Sequence, residues 1–166
     1  VNVTDQDLVP LATKELPGLR ELHLEHSQLT PAGLAPIGQL KSLEVLVLGG
    51  TQLTDEGVTQ LAGLENLRLF NAAETKLTDA GLAQLAALPK LQLLRIGSPN
   101  ITDAGLAPLV ETPQLKQLIL VDVPITDAAV ETLIKIPGLE SLYVFNSQLS
   151  DEAIGKLSAK VPHVHD

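Results

Sequence analysis

A carboxylate recurs along this chain at a constant spacing of 24 residues. The recurring residues are Asp55, Asp79, Asp103, Asp127 and Asp151. If the repeated segments stack, these carboxylates could bind a hard cation such as calcium, which prefers oxygen ligands. Each Asp also follows a Thr or a Ser, a pair typical of a helix start, where either side chain can accept hydrogen bonds from free backbone N–H groups. We interpret the column as helix caps, and we predict no metal and no cofactor.

Two groups of histidines and carboxylates are further candidate metal sites. They are Glu21, His23, Glu25 and His26 near one end, and His163, His165 and Asp166 at the other. Imidazole and carboxylate groups can ligate zinc, but side chains alternate along a strand, so only the first three of these residues would share a face. The second group lies in a terminal tail that we expect to fray. We therefore interpret both groups as solvated surface.

The chain lacks the sequence motifs of common catalytic sites. It contains no glycine-rich phosphate loop, no G-x-S-x-G and no H-E-x-x-H. General acid–base catalysis needs a pocket with paired titrating groups, and an open repeat surface does not predict one. We predict that the chain is not an enzyme and has no catalytic residues.

Composition restricts the class of partner. The chain has 20 acidic residues against 11 basic ones, for a net charge of −9, which disfavours nucleic acids and anionic membranes. No apolar run approaches the roughly 18 residues of a membrane span, so we predict no membrane insertion. Cysteine is absent, which excludes disulfides, and methionine is absent too. Val1 is then not a translation start, and we expect a processed chain or a domain of a longer protein.

A 24-residue repeat positions all of these residues. Its six units begin at Leu19, Leu43, Leu67, Leu91, Leu115 and Leu139. Apolar residues at positions 4 and 6 of each unit predict a short strand, and those at positions 16, 19 and usually 22 predict a helix. One unit cannot bury its own apolar face, so the units must stack and join their strands into a parallel sheet.

The repeat covers nearly the whole chain. We predict a single domain over residues 1–166, with six repeats over 19–162. Residues 1–18 resemble the second half of a further unit, because Val3-Thr4-Asp5 matches the residues that precede each helix. Residues 160–166 break the pattern, and we predict that they cap the last unit.

The repeated residues resemble the leucine-rich repeat family. The stretch Leu77-Thr78-Asp79-Ala80-Gly81-Leu82 is similar to the helical variety found in many bacterial proteins. The resemblance implies a right-handed α/β solenoid, with a curved parallel sheet on the concave side and helices on the convex side. It also implies a binding module that uses the concave face, and it favours an extracytoplasmic or cell-surface location. At position 9, Pro99 and Val123 replace the Ser or Thr of other units, so we expect the hydrogen-bonded inner turn to be interrupted there.

Positions 3, 5 and 7 of each unit should point away from the core, and we call this surface the strand face. Its candidate partner-binding residues are Val45, Val47, Leu69, Leu93, Ile119, Val121, Tyr143 and Phe145. The last four form what we call the aromatic patch. We expect the residues at position 3 (Val45, Leu69 and Leu93) to be half covered by the return loops.

Exposed aromatic rings on a solvent-facing sheet indicate a binding surface. The alternative is that the rings pack on the C-terminal tail or on a neighbouring domain. The sequence thus predicts a non-catalytic module that binds a polypeptide partner or a sister domain. The second hypothesis is a structural role, in self-association or as a spacer within a larger bacterial protein.

Overall fold

The computed structural model describes residues 3–13 and 16–166. Within this part of the chain, seven parallel strands form one open sheet in the order of the sequence. The strands are β1 (Glu21–His23), β2 (Val45–Val47), β3 (Leu69–Ala72), β4 (Leu93–Ile96), β5 (Gln117–Val121), β6 (Ser141–Phe145) and β7 (His163–His165). Position 4 of each unit aligns across the sheet, from Leu22 through Leu46 and Phe70 to Leu94, Leu118 and Leu142. The predicted α/β solenoid and its register are therefore confirmed.

Helical segments follow the strands, but they are less regular than the repeat predicts. The α-helices are α1 (Asp5–Leu8), α2 (Asp55–Thr59), α3 (Asp79–Ala86), α4 (Val130–Leu133) and α5 (Asp151–Ser158). Segments Val9–Ala12, Ala32–Leu34, Ile37–Gln39, Asp103–Glu111 and Asp127–Ala129 are 3₁₀-helical. Proline accounts for part of the difference, since it lacks the backbone N–H that an α-helix needs. Pro31 and Pro36 lie in the first unit, which has only 3₁₀ turns, and Pro108 lies inside the segment of the fourth.

The core runs along the solenoid between the sheet and the helical segments. Position 4 supplies a continuous column, and the side chains from Leu46 to Leu142 in it are fully buried. The helical segments complete this core from the other side with residues such as Val58, Leu85 and Leu109. The core is almost wholly aliphatic, with Phe70 as its one ring among the described residues.

The C-terminal tail is a strand and not the fraying segment that we expected. β7 pairs in parallel with β6, and Ser141 aligns with His163, so β7 follows after 22 residues instead of 24. Val161 is buried and Val164 packs against the core. These two valines reproduce the L-x-x-L spacing of a unit start two residues early, which anchors the tail. The assignment of residues 1–166 to a single domain stays a prediction.

The inner turn at position 9 is interrupted in the fourth and fifth units as expected, but its hydroxyl bond is also absent in the first unit, where the buried Oγ of Ser27 has no partner among the described residues. The hydroxyls of Thr51 and Thr75 donate to the carbonyls of Leu48 and Ala72, at 2.6 and 2.9 Å. In the fourth unit Ser98, one position earlier, donates to the carbonyl of Leu77 instead, at 2.6 Å. In the fifth unit Val123 is buried without a hydroxyl.

Candidate functional site

The aromatic patch lies on two adjacent strands, β5 and β6. Ile119 aligns with Tyr143, and Val121 aligns with Phe145. The rings of Tyr143 and Phe145 lie 5.8 Å apart between centroids, tilted at 44°. Phe145 is 39% exposed, and the other three side chains are half-buried. The geometry thus brings the four predicted residues onto one contiguous surface.

β7 covers one side of this patch. The imidazole of His165 stacks on the ring of Tyr143, with centroids 4.4 Å apart and planes at 11°. The sequence analysis assigned His165 to a candidate metal site in a tail expected to fray, and only its alternative, in which the rings pack on the C-terminal tail, agrees with this contact at Tyr143. The signal was the spacing of Val161 and Val164, which sets the alternation that turns His165 toward the strand face. The tail therefore packs on Tyr143, while Phe145 remains exposed.

The other candidate residues lie on β2 to β4 and are less accessible. Val45, Leu69 and Leu93 align at position 3 and are half-buried. Val47 is only 6% exposed, so its expected place on the accessible surface is wrong. It lies in register between His23 and Asn71 on the neighbouring strands, and both carry longer side chains than valine.

Charge is unevenly distributed over the strand face. Its carboxylates are those of Glu21 and Glu25 on either side of His23, with contacts of 3.8 Å to Nε2 and 3.6 Å to Nδ1. Positions 3, 5 and 7 of strands β2 to β7 carry no carboxylate, although the chain has 20 acidic residues. Arg95 is exposed in β4, in register between Asn71 and Ile119. Its guanidinium makes no ion pair with the described residues.

The column of Asp residues does not cap its own helices. The side chain of Asp79 accepts hydrogen bonds from the backbone N–H and the hydroxyl of Thr102, which lies in the next unit, at 2.8 and 2.7 Å. Equivalent pairs join Asp5 to Thr30, Asp55 to Thr78, Asp103 to Thr126 and Asp127 to Ser150. In three units the hydroxyl before the Asp provides the cap, as in Ser150, which accepts from the N–H of Ala153, whereas Thr54 and Thr102 make no such bond. The prediction that Asp caps a helix was wrong because capping preferences consider one unit at a time.

Each of these pairs joins a single carboxylate to one Thr or Ser of the next unit. The pKa of Asp127 is lowered by the N–H and then the hydroxyl of Ser150, both of which stabilise the charged form. Over residues 3–13 and 16–166, no three or more Asp, Glu or His side chains are arranged to hold a metal ion. Within the same ranges, no helix has the length and apolar character to cross a membrane.

Known proteins share both the repeat and the fold. A family model for the leucine-rich repeat matches residues 17–38 and 39–62. An internalin (inlF) from Listeria monocytogenes is 22% identical with a TM-score of 0.61, and the match covers 90% of this chain and 48% of that one. An internalin C2 (inlC2) from the same species is 25% identical with a TM-score of 0.67, covering 99% of this chain and 76% of that one.

The chain spans about half the length of the first of these internalins. No curated protein sequence matches it. Folds of this type generally mediate protein–protein interactions. Because the family model matches two consecutive repeats, and the other units continue them in the same strand register, this chain has the fold of a leucine-rich repeat solenoid.

Proposed function

We propose that the chain is a non-catalytic interaction module that binds a polypeptide partner, or a sister domain, through the aromatic patch. The observation that carries the proposal is Phe145, which is 39% exposed beside Tyr143 on a solvent-facing sheet. Leaving a large apolar ring in water forfeits the free energy that its burial would provide. A contact surface explains why this ring is exposed.

The arrangement of the patch supports a hot spot more than a scattered set of contacts. Adjacent strands lie roughly 5 Å apart and same-face residues on one strand roughly 7 Å apart, so the four side chains adjoin one another. His165 holds Tyr143 on one side by stacking, which restricts its motion before any partner arrives. Restricted aromatic anchors lose little conformational entropy on binding. The half-buried residues Val45, Leu69 and Leu93 extend the proposed contact across the sheet.

The proposed module binds without catalysing a reaction, and it works outside the cytoplasm or on the cell surface. The strand face carries no paired titrating groups in a closed pocket, which supports binding without catalysis. The similarity to bacterial internalins favours a place outside the cytoplasm or on the cell surface.

The variant Phe145→Ser tests the proposed function directly, because it removes the exposed ring without touching the core. We expect that a partner retained by the wild type in affinity capture is lost with this variant.

Self-association is the competing function, since a second copy could cover the same exposed ring. Size-exclusion chromatography with light scattering separates the two. A monomer mass that is independent of concentration supports a different partner. A dimer that dissociates in Phe145→Ser assigns the patch to a second copy instead.

A further inference from the structure

Arg95 is the strongest feature that the proposed patch leaves unexplained. It is an exposed cation at position 5 of β4, directly in register with Ile119 of the patch. The described residues offer its guanidinium no carboxylate. Two other cations pair with a carboxylate of the next unit, Arg20 with Glu44 and Lys116 with Glu140, the latter at 2.6 Å. Arg68 and Lys76 also make no ion pair with the described residues, so what sets Arg95 apart is its place on the strand face, which no other Lys or Arg of the described units shares.

The surroundings of Arg95 are depleted in negative charge. Strands β2 to β7 place no carboxylate at positions 3, 5 and 7. Glu74 and Asp122 lie in the turns after β3 and β5, and neither pairs with Arg95. Asp122 instead accepts a hydrogen bond from Asn146 at 2.9 Å. An acidic protein thus presents on its strand face a cation that has no carboxylate beside it at positions 3, 5 and 7 of strands β2 to β7, which suits a partner's carboxylate.

We propose that the partner is a polypeptide segment with a carboxylate close to an apolar side chain, so that Arg95 pairs with the carboxylate while the aromatic patch holds the apolar group. This inference rests on the proposed function. Arginine forms forked hydrogen bonds with carboxylates, and it is enriched with tyrosine at binding hot spots. Arg95 and Tyr143 are two strands apart, roughly 10 Å, which an extended segment covers in about three residues. The expected motif is an Asp or Glu within about four residues of an aromatic or aliphatic residue.

Selection from a library of random dodecapeptides displayed on phage tests this partner chemistry. The targets are the wild-type chain, Arg95→Gln, Phe145→Ser and the control Arg68→Gln, which removes an exposed arginine outside the strand face. When the peptides selected by the wild type and by Arg68→Gln are aligned on their apolar residue, one position within about four residues of it should carry Asp or Glu about fivefold more often than in the unselected library. Peptides selected by Arg95→Gln should keep their apolar residues and lose the acidic ones.

The outcomes separate the inference from the function on which it rests. Equal acidic enrichment with Arg95→Gln would overturn the role of Arg95. Apolar peptides without acidic enrichment on the wild type would overturn it as well, while leaving the proposed function intact. If the wild type selects nothing that Phe145→Ser does not select, then the proposed function fails, and the inference fails with it.

Discussion

The carboxylate of Asp79 in one repeat holds Thr102, the residue that starts the helical segment of the next repeat. Its two oxygens accept hydrogen bonds from the backbone N–H and the hydroxyl of Thr102, at 2.8 and 2.7 Å. The stability of a repeat array is approximately a sum of terms within each repeat and terms between neighbours. This pair contributes to the terms between neighbours, so the Asp column joins the solenoid along its length.

We expect Asp79→Ala to destabilise the chain by about 0.5–2 kcal/mol, because it removes two hydrogen bonds that Thr102 donates to a charged acceptor. Asp151→Ala is the matched control. Asp151 occupies the same place at the start of α5, but no described residue donates to its side chain. Its loss should cost only the interaction with the helix dipole, a few tenths of a kcal/mol. Urea unfolding measures the loss of stability in both variants. Equal losses would contradict the claim that Asp79 joins neighbouring repeats.

The same pairing predicts a dependence of stability on pH. The fold lowers the pKa of Asp127 through the N–H and hydroxyl of Ser150. A lowered pKa in the folded state contributes stability that is complete above the unfolded pKa of about 3.9 and is lost as the pH falls through the folded pKa. The urea midpoint of the wild type should therefore exceed that of Asp127→Asn most near neutral pH. The difference should narrow below about pH 4.

Ser150→Ala provides the control for this titration. It removes one of the two donors to Asp127 while leaving the backbone N–H in place. In the Ser150→Ala background, the urea midpoints with and without Asp127→Asn should still differ, but the part of this difference that depends on pH should shrink. A difference that stays constant from pH 7 to pH 2 in the wild-type background would contradict the account.

The strand register gives two adjacent leucines clearly different degrees of burial. Leu94 is fully buried at position 4, whereas its neighbour Leu93 is half-buried on the strand face. Leu94→Ala should cost about 2–5 kcal/mol, since it leaves a cavity in the core. Leu93→Ala should cost clearly less in the same thermal or urea unfolding measurement. A reversed order would mean that the strand register is wrong.

Gly97 marks the closest approach of backbones beside the aromatic patch. A Cβ there would lie 2.8 Å from the carbonyl oxygen of Val121 and 3.0 Å from the amide nitrogen of Glu74. Backbone atoms cannot move aside cheaply, so Gly97→Ala should cost about 1–3 kcal/mol. Gly155→Ala in α5 is the control, because no atom lies within 4 Å of its Cβ position. It should stabilise by roughly 0.5–1 kcal/mol, and a stable Gly97→Ala would refute the close approach.

The sequence predicts the parts of this structure that depend on periodicity. Leu94 and Leu118 align because a constant period fixes the strand register, and burial follows from the alternation of side chains. The role of Asp79 was missed because its acceptor function is completed 23 residues away, at Thr102. Preferences for a single helix start do not contain that contact.

The candidate site was predicted in its position but not in its surroundings. Tyr143 and Phe145 lie where alternation places them, and their side chains adjoin one another. The stacking of His165 on Tyr143 depends on a strand that starts two residues early, so the fixed period conceals it. The burial of Val47 depends on the sizes of its neighbours in adjacent strands, which a rule about strand faces does not consider.

The most direct test of the central claim is affinity capture from an extract of the source organism by three forms of the chain. These are the wild type, Phe145→Ser and the control Val9→Ser. Val9 is the other large exposed apolar residue in the described ranges, at 53%, and it lies in the N-terminal half-repeat, away from the strand face. All three forms should melt alike, since neither residue is in the core.

We predict that mass spectrometry will find one protein retained by the wild type and by Val9→Ser and lost with Phe145→Ser. Anchors of this kind often contribute about 2 kcal/mol or more to binding, which is enough to abolish retention through washing. Undiminished retention by a well-folded Phe145→Ser would contradict the claim that the aromatic patch is the binding site.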